Sequence, residues 1–174
     1  MIAPPSTALL GLVLGACILA AASDAVSRRI PNLIPLVILI AVVIERAHQG
    51  WGPLGSGLGA MAIVLILGTF AHAHGWFGGG DVKLAAAVAA AFGLPTCFAF
   101  LLLTGACGGV VALVTLFATR RLTAREALVT LDVLVRSRIV TLPDKKATVP
   151  YAIAIAFGAL LTTVSLSSPV MHLL

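Results

Sequence analysis

Two aspartates, Asp24 and Asp81, are the residues of this 174-residue chain best placed to do chemistry. Asp24 closes the first apolar block, Ser6 to Ser23. Asp81 opens a later one, Leu84 to Phe92, and follows Gly78-Gly79-Gly80 directly. Acids at the ends of apolar spans are costly to keep there and mark functional sites, although pairing with a nearby Arg28, Arg29 or Lys83 is the structural alternative. Two carboxylates brought within a few ångströms cannot both ionise cheaply. They share a proton, so one acts as general base toward water while the other donates to a carbonyl oxygen. Such a pair hydrolyses an amide with no metal and no cofactor. The helix ends suggest Asp81 as the base and Asp24 as the acid, because the positive end of a helix dipole favours the charged form and the negative end the neutral one. The pair still titrates as one unit. The other four acids, Glu45, Glu126, Asp132 and Asp144, lie in polar segments and are read as solvated.

Three successive glycines cost backbone entropy and supply no packing, so they mark a bend or a close approach of another chain. The plain alternative is a flexible loop with Asp81 as an ordinary N-cap. What must position the two acids is a set of membrane helices. Hydrophobic residues make up 60% of the chain, charged residues 10%, and the mean hydropathy is +1.14. A soluble domain carries about 25% charged residues, so lipid is the solvent for most of this sequence. The net charge of +5 suggests nucleic acid only if the chain is soluble; here the basic residues are read as setting orientation. Cys17, Cys97 and Cys107 sit in apolar runs without a C-x-x-C pair, and His72 and His74 are read as polar residues ending a span, so no metal site is expected.

The apolar blocks give an all-α, six-helix bundle in one membrane domain, 1–174, with spans near 6–23, 33–46, 53–73, 81–93, 95–118 and 150–168. Met1 to Thr7 lacks the basic residues of a signal peptide, so the first block is expected to be retained. Pro31 and Asn32 suit a loop that starts and caps the second helix. Gly55, Gly59 and Gly68 are expected to let the third helix pack closely. Leu84 to Ala118 holds no charge for 35 residues, too long for one span and enough for two short ones broken near Gly93-Leu94-Pro95. The helix from Asp81 to Phe92 is then only about 18 Å long. Residues 119–149 form a polar segment in which Leu128, Leu131, Leu134 and Val135 recur at helical spacing among arginines, the pattern of a basic amphipathic helix on a membrane face. Six spans put ten basic residues in loops 24–32, 72–83 and 119–149 on one side and only Arg46 on the other. By the positive-inside rule those three loops, and both aspartates, face the cytoplasm.

Gly78-Gly79-Gly80-Asp81-Val82-Lys83-Leu84 fits a G-x-G-D-x-K-L motif, and Asp24 stands six residues before Ile30-Pro31-Asn32. Val149-Pro150-Tyr151 opens the last block. Together these resemble the type IV prepilin peptidases, G-x-G-D membrane aspartyl proteases, over about Asp24 to Gly158. The resemblance implies a multi-pass endopeptidase of the bacterial inner membrane that removes the short basic leader of pilin-like precursors at the cytoplasmic face. Asp24 and Asp81 match the catalytic pair. Gly78, Gly80 and Lys83 match the motif's support, and Gly79, Pro150 and Tyr151 fall near the substrate. Its partners would be a membrane-embedded precursor and the bilayer, with no nucleic acid. The chain lacks the C-x-x-C insertion of the larger bifunctional members, so it looks like the short, peptidase-only kind of Flp/Tad pilus systems. The glycines would leave bare backbone for a substrate strand. Two other classes fit the composition: a small transporter or proton-relay subunit using the same acids, and a non-catalytic pilus or secretion assembly factor of the same fold.

Overall fold

In lipid a backbone must satisfy its own hydrogen bonds, so apolar blocks of this length become helices. A computed structural model describes residues 5–27, 30–75, 77–136 and 151–167, and these residues contain helices and no strand. The elements are α1 (Thr7–Ser27), α2 (Leu33–Gln49), α3 (Trp51–Ala73), α4 (Gly79–Phe92), α5 (Leu94–Arg136) and α6 (Tyr151–Ser167). Thr7–Asp24, Trp51–Ala73 and Leu94–Thr115 are each long and apolar enough to cross a membrane, and α6 is a shorter apolar helix. Large apolar side chains such as Ile18, Leu19, Ile66, Phe70, Phe98 and Leu102 point outward, as lipid-facing residues do. The chain is an all-α polytopic membrane protein.

Several boundaries differ from expectation. α4 begins at Gly79, so Asp81 lies within its first turn. The break after α4, by contrast, falls at Gly93, where the sequence calls for it, and a φ of +75° there suits glycine. α5 continues to Arg136, through the first part of the segment expected to form a separate surface helix. Residues 137–149, with the rest of that expected helix, lie outside the described residues.

The chain divides into two units, 1–108 with 150–174, and 109–149. In the second unit the described element is the distal part of α5, from 109 to 136. The first unit is built around α4, the shortest helix, which packs against α1, α2, α3 and α6. Val82, Leu84 and every residue from Ala86 to Phe92 are buried. Small side chains explain how one helix accepts four neighbours, because alanine and glycine let backbones approach closely where no hydrophobic drive exists between helices. On α3 the closest approaches are at Gly57 and Gly68. A methyl on Gly57 would stand 2.8 Å from the Ala90 carbonyl oxygen, and one on Gly68 would stand 2.5 Å from Val82 Cγ1. Gly59 faces the Leu94 side chain, while Gly55, expected in the contact, meets nothing within 4 Å. Gly59 and Gly68 thus lie in close contacts as expected and Gly55 does not: Ser56, Gly57 and Ala60 are buried and Gly55 is exposed.

The far end of α4 is fixed by a residue that the sequence places in a polar turn. Arg46 is fully buried at the end of α2, and its guanidinium donates to the Ala91 carbonyl oxygen. A cation at a helix C-terminus meets both the free carbonyls and the negative end of the dipole. Ser56 Oγ accepts the Leu94 N–H at 2.9 Å, holding the start of α5 at the same corner. Glu45, read as simply solvated, accepts the backbone N–H of Ser6 at 2.7 Å and its hydroxyl at 2.6 Å. It ties the start of α1 to the end of α2.

Candidate active site

The opposite end of α4 carries the acid. Gly78 precedes the helix with extended backbone (φ −71°, ψ 143°), and its carbonyl accepts the Val82 N–H at 3.2 Å. Any residue adopts that backbone, so space decides the need for glycine here. A methyl on Gly78 would stand 2.8 Å from Asp81 Oδ2. The carboxylate therefore folds back over the helix start, where a backbone hydrogen bond from Gly78 reaches it. Its Oδ1 is buried without a hydrogen-bond partner among the described residues. Buried polar oxygens are almost always paired, and an unpaired one marks a group kept for another role.

Asp24 lies in the last turn of α1, which packs against α4, and both acids are half-buried. Their carboxylates are close enough to act on each other electrostatically. The tail of α1 and the head of α4 thus bring Asp24 and Asp81 within electrostatic reach of each other. The helix dipole alone does not make Asp81 the base, because the two carboxyl groups act on each other as well as on the helix end. The two acids are best described as one unit.

The other residues singled out from sequence surround this pair. Gly80 is filled from outside, since a methyl there would lie 3.1 Å from Ile30 Cβ. Gly78 and Gly80 thus make room for the protein's own Asp81 and Ile30, a tighter use than the open approach expected for a substrate strand. Lys83 is exposed and donates to Asn32 Oδ1 at 3.2 Å, tying the loop before α2 to α4. Asn32 accordingly makes no side-chain cap on α2, contrary to expectation. Gly79 lies against the His72 ring. Tyr151, at the start of α6, meets Phe77 edge-on with ring centroids 4.7 Å apart. Pro150, Arg28, Arg29 and Trp76 lie outside the described residues.

His72 also borders the segment that leads to Asp81. Its Nδ1 lies 2.7 Å from the Phe77 carbonyl oxygen. Two histidines at spacing two read as the polar end of a span, and the contact depends on a turn at Gly75 (φ +75°) that spacing does not reveal. Among the described residues no three His, Cys, Asp or Glu side chains gather as metal ligands.

None of the curated proteins and none of the solved structures compared with the chain matches it. The sequence pattern of the type IV leader peptidase family, however, matches residues 11–113, a stretch that contains both aspartates, the three glycines and Lys83. With more than half its length matched, and its all-helical membrane fold, the chain belongs to the type IV leader peptidase family.

Proposed function

We propose that this protein is a membrane aspartic endopeptidase that removes the leader from type IV or Flp pilin-like precursors. The observation that carries the reading is that Asp24 and Asp81 lie within electrostatic reach of each other, with one Asp81 oxygen buried and without a partner among the described residues. In the reaction the ionised member of the pair takes a proton from a water held between them, and the resulting hydroxide attacks the scissile carbonyl carbon. The protonated member gives its proton to the carbonyl oxygen. Collapse of the tetrahedral diol breaks the C–N bond: the acid that took the water's proton gives it to the leaving nitrogen, and a diol hydroxyl returns a proton to the other acid. Both acids end the cycle as they began.

The substrate's apolar helix lies in the bilayer and presents its leader junction at the cytoplasmic face of the inner membrane. The distribution of basic residues supports that orientation. The absence of C-x-x-C pairs from the sequence supports the short, peptidase-only Flp/Tad kind. Co-expression with a pilin-like precursor, followed by leader removal on a gel, tests the reading. Cleavage lost with Asp24→Ala and, separately, with Asp81→Ala supports it. Cleavage that survives both with loss of ion flux supports a relay subunit, and no cleavage by the native chain supports an assembly factor.

Gly78→Ala offers a finer check. The added methyl forces the Asp81 carboxylate off its position, and a displacement of about 1 Å in a catalytic group costs about a hundredfold in rate. Cleavage should fall by about that factor while the thermal unfolding temperature in detergent stays put. Unchanged cleavage would show that this carboxylate position is not the working one.

A further inference from the structure

The segment that delivers Asp81 is held by a side chain from another element. His72 Nδ1 lies 2.7 Å from the Phe77 carbonyl oxygen, and a carbonyl only accepts, so Nδ1 carries the proton and donates. The same ring lies along Gly79, where a methyl would be 3.6 Å from its Cε1 and 3.7 Å from its Nε2. Behind it the Gly75 N–H donates to the His72 carbonyl oxygen at 2.9 Å, closing the turn. The ring of Phe77 is fixed by the edge-on contact with Tyr151. Phe77 is therefore gripped through its carbonyl by α3 and through its ring by α6.

That grip has an entropic reason. Of the eight residues between His72 and Asp81, Gly75, Gly78, Gly79 and Gly80 are glycines. A chain so rich in glycine has little preference for any one path and loses the most freedom when ordered. Phe77 is the last residue before the three glycines, so fixing its carbonyl fixes where they begin.

We propose that His72 is a positioning residue for cleavage: its Nδ1–H holds the Phe77 carbonyl and so sets the path of Gly78–Gly80 that brings Asp81 to Asp24. The inference rests on the reading of Asp81 as catalytic. His72 itself is exposed, at the end of α3, so the bundle does not depend on it for packing. Its loss acts on the rate.

The test is single-turnover and steady-state cleavage of a pilin-like precursor by the full-length protein in lipid nanodiscs. His72→Ala, His72→Asn and His72→Gln are compared with the native chain and with Asp81→Asn. An asparagine amide nitrogen stands where Nδ1 stands; a glutamine amide nitrogen stands nearer Nε2. His72→Ala and His72→Gln should lower kcat about tenfold, the worth of one hydrogen bond of this kind, with KM changed less than about twofold. His72→Asn should recover most of the rate, and all three should unfold at the native temperature. Native kcat in His72→Ala, rescue by glutamine equal to that by asparagine, or a loss of kcat matched by a loss of thermal stability would each overturn the proposal. Cleavage by the native chain and none by Asp81→Asn keeps the underlying reading intact, so that failure then falls on His72 alone. A native chain that cleaves no precursor overturns both.

Discussion

Asp81→Asn and Asp24→Asn, each alone, will lower the rate of leader cleavage by about a thousandfold or more, with the protein folded and in the membrane. An asparagine keeps the shape of the carboxylate but neither takes nor gives the proton that the pair must pass, and positioned acid–base catalysis is worth about 10²–10⁴ per group. The double variant should be little worse than either single one, because residues that act as a unit do not add. Asp81 has the stronger structural grounds of the two: one oxygen lies where a methyl on residue 78 would crowd it, and the other is buried without a partner among the described residues. Quantitative cleavage on a gel after reconstitution measures the effect. A single variant that retains a tenth of the native rate would contradict the shared-proton mechanism.

The largest effect on stability is expected at Arg46, at the other end of α4. Arg46→Ala removes a fully buried long side chain and leaves the Ala91 carbonyl without its donor. A cavity of that size costs about 2–5 kcal/mol, and an unsatisfied buried acceptor adds about 1–3 kcal/mol. The expected result is a loss of about 4 kcal/mol or more, read as a sharp drop in the detergent unfolding temperature. Arg46→Lys keeps the charge near the helix end but not the planar fork, and should fall between alanine and the native chain. An unfolding temperature unchanged in Arg46→Ala would mean that the α4–α5 corner is held by Ser56 and the glycine turn alone.

These two ends of α4 show what sequence carries and what it hides. Asp81 is legible because a carboxylate directly after three glycines and before an apolar run has no comparable neighbour in the chain. The break at Gly93 is legible because a charge-free run too long for one span needs a turn, and glycine beside Pro95 supplies it. Arg46 and Glu45 are not legible in the same way. As a sequence pair they close an apolar block and look like its polar rim. Their work depends on partners 45 and 39 residues away, which no local pattern names. The glycines of α3 fall between the two cases: their abundance signals close packing, but the choice of Gly57 over Gly55 depends on which way the helix is turned. The length of α5 is hidden for a related reason. Charge density marks where lipid ends, yet a helix can carry on beyond that point so long as its backbone bonds continue. His72 needed both a turn and a distant carbonyl to be seen.

The central claim is that the tail of α1 and the head of α4 place two carboxyl groups on either side of one water. Its most direct measurement is proximity in the membrane. Asp24→Cys and Asp81→Cys are combined in a chain with Cys17, Cys97 and Cys107 replaced by alanine, and the pair is treated with the shortest bis-methanethiosulfonate before a second, distant pair, Asp24→Cys with Gln49→Cys, is treated in the same way. The account predicts rapid, near-complete cross-linking within the first chain and none within the second. Two thiols in the first chain that each label separately, and are never bridged, would contradict it.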